Sequence, residues 1–150
     1  MRRPSLILVA ALMLVAADHP DLSGTWVLNT EKSTLSQKNF NPTGMKLEVT
    51  RQGAGFHSRL TTVDGGESGG TVTEGDWYLD GQYHLIPGTR WMQMSKWEGN
   101  VLVADKKSAE NSYYEHMRLT VSSDGKRVTE NLSVKNFNGT NSSTLVWDRT

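Results

Sequence analysis

Glu115, Glu130 and Arg51 stand at positions where an extended chain would turn charge inward. Glu115 precedes Met117, Leu119 and Val121 at every second residue, Glu130 lies between Val128 and Leu132, and Arg51 follows Leu47 and Val49. Side chains two apart in a strand share a face, so an apolar set facing a core carries these charges with it. A buried carboxylate costs several kcal/mol unless it is paired. Either the strands enclose a wet cavity, or the charges sit at a mouth where solvent satisfies them. The same phase brings Tyr113 in with Glu115, Gln93 and Ser95 with Trp91 and Trp97, Ser58 with Phe56 and Leu60, and Thr73 with Trp77 and Leu79, although Met92 and Met94 claim the opposite phase of their strand. Aromatic walls (Trp77, Tyr83, Trp91, Tyr113) with a few polar anchors (Arg51, Gln93, Glu115) suit a small hydrophobic or amphipathic molecule. These seven are the candidate ligand-binding residues.

Other chemistries find less support. His57, His84 and His116 are too scattered for ligand spacing and His19 lies near the N-terminus, so no metal site and no cofactor is expected. The chain has no cysteine, which removes a thiol nucleophile, a lipid anchor and any disulfide. No Gly-x-Ser-x-Gly, phosphate loop or zinc signature occurs. Serines and acids are plentiful, yet nothing in sequence gathers a base, a nucleophile and an oxyanion hole, so no catalytic residue is assigned. Asn131, Asn138 and Asn141 open glycosylation-type triplets, which turns rich in Asn and Ser produce by chance.

The elements that must position these residues are strands. Arg2 and Arg3 precede the apolar run Leu6 to Val15, and small residues close it at Val15-Ala16-Ala17. Residues 1–17 therefore read as a signal peptide, and the run is too short for the roughly 20 residues of a membrane span. Pro4 and Ser5 after the paired arginines do not suit a twin-arginine signal, so ordinary export to a secreted or periplasmic location is expected. Removing the segment leaves one domain, residues 18–150, with fourteen basic against sixteen acidic residues, a charge of −2. That excludes the basic field a nucleic acid or an anionic membrane needs, and a monomer without a membrane anchor is expected.

Within the domain, Met45 to Arg51, Tyr113 to Val121 and Arg127 to Asn136 alternate apolar and polar residues, and turn dipeptides (Asp80-Gly81, Gly99-Asn100, Asp124-Gly125, Asn138-Gly139) separate the runs. Such dipeptides supply the positive φ of tight hairpins. Strands are expected near 24–29, 44–52, 55–63, 70–79, 82–86, 89–97, 101–108, 112–122, 126–136 and 141–149. Sequential hairpins with no covering helix leave two open edges unless the last strand meets the first. The fold expected is a single antiparallel up-and-down β-barrel of about eight to ten strands, with a flattened β-sandwich as the competing arrangement. The polar stretch Thr30 to Gly44 is expected to be a loop crossing one mouth, either a lid or a plain connector.

The stretch "LSGTWVLNTEKS", Leu22 to Ser33, resembles the opening of the calycin-type barrels, the lipocalins and fatty-acid-binding proteins, in which Gly-x-Trp begins the first strand. With "KWEGNVLV" (Lys96 to Val103), "RLTVSSDGKRVTE" (Arg118 to Glu130) and the closing "LVWDR", the chain is similar to short secreted bacterial lipocalin-like proteins. The resemblance implies a structural closure in which Gly24 and Trp26 plug one end and a late arginine stacks on the indole. Arg149 is the candidate for that arginine, and Arg118 the alternative. The resemblance also implies a small-molecule binding role, with a haem held by one histidine as a minor option. An Arg-x-Tyr of the kind that holds a fatty-acid carboxylate is absent, since the chain ends "VWDRT". The leading expectation is a secreted carrier of a small apolar or amphipathic ligand. An isomerase or hydrolase on the same scaffold, and a ligand-free protein-interaction module, are the alternatives.

Overall fold

The computed structural model describes residues 18–36, 42–64 and 70–150; the expected signal peptide lies outside the described residues. Ten strands follow in chain order: β1 (Gly24–Leu28), β2 (Pro42–Gln52), β3 (Gly55–Asp64), β4 (Thr71–Trp77), β5 (His84–Leu85), β6 (Trp91–Glu98), β7 (Val101–Ser108), β8 (Tyr114–Val121), β9 (Arg127–Asn136) and β10 (Gly139–Arg149). Among the described residues there is no helix. Every pairing is antiparallel, and the strands form one sheet ordered β4-β3-β2-β1-β10-β9-β8-β7-β6-β5. The single continuous sheet settles the choice between barrel and sandwich in favour of the barrel.

The hairpins follow from the sequence signals. Gly125 takes φ 69°, a left-handed conformation that L side chains resist, and so lets the chain reverse between β8 and β9. The last strand does meet the first, Trp26 opposite Arg149 and Leu28 opposite Trp147. The open edges fall instead at β4 and β5. Strand β4 ends two residues before the expected limit of 79 because Leu79 adopts φ 61° and turns the chain across to β6. There the Leu79 N–H donates to Ser95 Oγ (3.2 Å) and the Gly81 N–H donates to the Ser95 carbonyl (2.9 Å). Those bonds draw the curled sheet together at one end, while among the described residues β4 and the β5–β6 hairpin are joined by no ladder further along.

Alternation then divides the sheet into an inner and an outer face. Trp26, Leu28, Met45, Phe56, Leu102, Leu119, Val128, Leu145 and Trp147 form the core cluster. Trp26 is the most deeply buried large side chain, at 1% exposure. After β1, Ser33 Oγ accepts from the Val146 N–H (2.9 Å) and the Thr34 backbone pairs with Thr144 of β10. The described part of the expected mouth loop is thus pinned along β10, with half-buried Leu35 turned towards the interior.

Candidate functional site

One end of the barrel is sealed by Trp26 and Arg149. The Trp26 indole N–H donates to the Leu22 carbonyl (2.9 Å), and the Arg149 Cζ lies 4.1 Å from the Trp26 ring centroid. Arg149 also donates from Nη1 to the Ser23 carbonyl (2.6 Å), from Nη2 to the Asp21 carbonyl (2.9 Å) and from Nε to the Gly125 carbonyl (2.8 Å). A planar five-donor group suits this combination of ring stacking and carbonyl capping, which an ammonium would not reproduce. Gly24 explains its own place in the Gly-x-Trp motif: its φ is 126°, and a Cβ there would stand 2.8 Å from Arg149 Nη1. Arg118, the alternative, points elsewhere and donates to Glu98 (3.1 Å) on the outer face.

Above this base the strands enclose a cavity of about 450 Å³, inside the roughly 300–1,000 Å³ range of small-molecule sites. An adjoining lobe of about 320 Å³ shares Leu60, Thr73, Lys106, Glu115, Met117, Glu130 and Trp147 with it. Trp77, Trp91, Gln93 and Glu115 line the main cavity and Tyr113 lines the lobe. Five of the seven candidates are thereby brought together.

The other two are not. Arg51 has the inward phase of Leu47 and Val49, but it lies at the end of β2, beyond the level at which Gly24 pairs with Val49. The interior has ended there, and the exposed guanidinium sits 5.8 Å from the Phe56 ring centroid. Tyr83 precedes the two-residue β5 and is 36% exposed. Its ring faces Lys107 Nζ at 4.1 Å, and Lys107 alternates with the inward Lys106, so Tyr83 belongs to the outer face. Phase was right for Arg51 and depth was wrong; Tyr83 sits in a segment with too little strand to have a dependable phase.

The polar groups inside are few and differently satisfied. The Tyr113 hydroxyl donates to Glu115 Oε1 (2.5 Å), and the ring meets Trp91 edge-on at 4.9 Å. Burial, and then the neighbouring carboxylate, hold the Tyr113 phenol well above its ordinary value. Glu130, 9% exposed, accepts from the Trp147 indole N–H (3.0 Å). Burial pushes its carboxyl up to about 7; the Trp147 bond opposes the rise and the charge of Glu115 adds to it. Lys106 Nζ lies 5.0 Å from the Trp91 centroid. The Trp77 indole N–H donates to Ser58 Oγ (2.8 Å). Gln93 Nε2 is buried and has no hydrogen-bond partner among the described residues, an open donor on the wall. Lys106 and Trp147 are cavity residues that the candidate set omits, although each continues an apolar alternation, Leu102-Ala104-Lys106 and Leu145-Trp147.

The outer face carries its own polar pairs. There His57 is bonded to Asp76 (2.7 Å) and His116 to Asp105 (2.5 Å); His84, opposite Gln93 on β5, is bonded to Asp80 (2.8 Å), and His19 stacks on Trp97 at 4.8 Å. The register also sets Asp105, His116 and Ser133 abreast on β7, β8 and β9. Among the described residues Ser133 makes no hydrogen bond to the imidazole, and the row faces away from the cavity. A nucleophile–base pair of the kind hydrolysis needs is not assembled there.

No protein-family model matches the chain, and no curated protein matches it. Solved structures do. A secretory abundant heat soluble protein from Ramazzottius varieornatus aligns over 89% of this chain and 98% of its own, with a TM-score of 0.66 at 10% identity. Fatty-acid-binding protein 1 of Echinococcus granulosus aligns over 86% and 97%, with a TM-score of 0.59 at 16% identity. Zebrafish ileal bile acid-binding protein, complexed with cholic acid, aligns over 85% and 98%, with a TM-score of 0.54 at 13% identity. At such identities the likeness is one of fold, and this chain has the ten-stranded antiparallel architecture of the lipocalin and fatty-acid-binding type of barrel.

Proposed function

We propose that this protein is an exported carrier that holds a small apolar or amphipathic molecule inside the barrel, with Trp77, Trp91, Gln93, Tyr113 and Glu115 on the binding wall. The observation that carries the reading is the cavity: about 450 Å³ of space between aromatic side chains, with a handful of polar groups turned into it. A barrel selected only for stability would fill that space, since protein interiors are packed to the density of organic crystals. Barrels of the same architecture that are named for binding fatty acids or bile acids support the reading. Removal of residues 1–17 and export of residues 18–150 as a monomer belong to the same proposal. Native mass spectrometry of the protein recovered from its own compartment tests both parts. A retained small molecule on a chain beginning near Asp18 is expected; a ligand-free chain carrying residues 1–17 counts against it.

Catalysis on the same scaffold has one observation in its favour. Glu130 is a buried carboxyl poised near neutrality, the range in which proton transfer at pH 7 is efficient. An isomerase or hydrolase would return the cavity's molecule altered after prolonged incubation, and recovery of that molecule unchanged counts against it.

A further inference from the structure

The charges turned into the cavity are unusual for a site that would hold an acid. Among the described residues they are Glu115 on β8, Glu130 on β9 and Lys106 on β7. Glu74, at the rim on β4, is engaged by Arg59 (3.5 Å). The interior therefore holds two carboxyl groups, Glu115 and the partly protonated Glu130, against one ammonium, and that ammonium already lies over the Trp91 ring. A carboxylate ligand would enter against net like charge in a low-dielectric space, where repulsion is strongest. An ammonium ligand meets the opposite field, together with the indoles of Trp77 and Trp147 on the cavity wall, a ring type that attracts cations.

Two further observations show a site arranged for an occupant. Among the described residues Gln93 Nε2 is buried without an acceptor; an ammonium has no lone pair to fill that bond, so this donor is left for a hydroxyl or carbonyl oxygen elsewhere on the bound molecule. Glu130 is anchored by one oxygen to Trp147, so its orientation is set before anything binds. The register places Gln93, Lys106 and Glu115 in one row across β6, β7 and β8, so the open donor and the carboxylate share a level of the wall.

Resting on the carrier reading above, we infer that the ligand class is an amphiphile with a protonated amine head, held between Glu115 and Glu130 with its apolar part against the tryptophans. Fatty-acid-like and bile-acid-like anions are selected against. The groups that face Glu130 are Glu115 from β8, Lys106 from β7 and the Trp147 indole from β10. An arriving cation holds Glu130 ionised, so binding near neutral pH releases protons.

The test compares three probes of equal chain length, dodecylammonium, dodecanol and dodecanoate, by calorimetry at pH 7 on residues 18–150. Dodecylammonium is expected to bind at least about ten-fold more tightly than dodecanoate, with dodecanol between them, the size of one charge–charge interaction in a partly wet interior. Protons should be released, read as a heat that differs between buffers of different ionisation enthalpy. In a variant carrying Glu115→Gln and Glu130→Gln the preference should fall below about three-fold, whereas Arg51→Gln, outside the cavity, should leave it intact. Equal or tighter binding of dodecanoate by the unaltered protein overturns the inference and leaves the carrier reading standing, as does a preference that survives the double substitution. Binding of none of the three removes both.

Discussion

At the scale of single residues, two positions set the energetics. Trp26 fills the base of the barrel and supports Arg149, whose guanidinium ties Asp21, Ser23 and Gly125 together. Trp26→Ala should lower stability by roughly 3–5 kcal/mol, as expected for emptying a large core position; urea denaturation gives the value, and a midpoint shift worth under about 1 kcal/mol would contradict the closure. Glu130 behaves oppositely, because its carboxyl is an expense once ionised. Its folded pKa of about 7 lies above the 4.5 of an unperturbed glutamate, so the native state binds more protons than the unfolded chain between those values. The stabilisation is complete below about pH 4.5 and is lost as pH rises through 7. The loss can reach roughly 3 kcal/mol by linkage. Glu130→Gln should flatten stability across pH 5 to 8, measured by denaturation at each pH.

Elements determine where the barrel can open. Strand β4 pairs only with β3, and the bonds from Leu79 and Gly81 to Ser95 draw the two edges together at one end. Ser95 is 3% exposed, and its hydroxyl is the acceptor that the Leu79 N–H uses in this half-buried place. Ser95→Ala should cost about 1–3 kcal/mol, the penalty for a buried donor left without an acceptor. The more specific signature is hydrogen exchange: the Leu79 and Gly81 amides should speed up while those of β9 and β10 stay protected. Much of this level was legible beforehand. The strands at 101–108 and 126–136 fall within a residue of their alternating runs, because half-buried strands must alternate. The end of β4 was hidden, since nothing local marks Leu79 as the residue that takes a positive φ; the bond to Ser95, sixteen residues on, favours it.

For the whole molecule, the cavity couples stability to occupancy. A ligand that binds only the folded barrel stabilises it by about 2.7 kcal/mol at one hundred times its dissociation constant. Saturating dodecylammonium should therefore raise the melting temperature by several degrees. Three of the five tryptophans line the cavity, so indole fluorescence should change over the same titration; a midpoint and a spectrum that both stay fixed would argue for an unoccupied barrel. Sequence alone determined the period-two segregation, the hairpins and the pairing of first and last strands, along with the inward phase of Trp77, Trp91, Gln93, Tyr113 and Glu115, because those follow from local alternation and turn chemistry. Tertiary structure decided what alternation cannot carry. Phase says which face a side chain takes, but not how far along the barrel it lies, so only the stagger of the strands put Arg51 below the floor; Tyr83, before a two-residue strand, had no phase to read and fell on the outer face. The balance of two carboxylates against one lysine around a hollow interior likewise exists only once β7, β8 and β9 lie side by side.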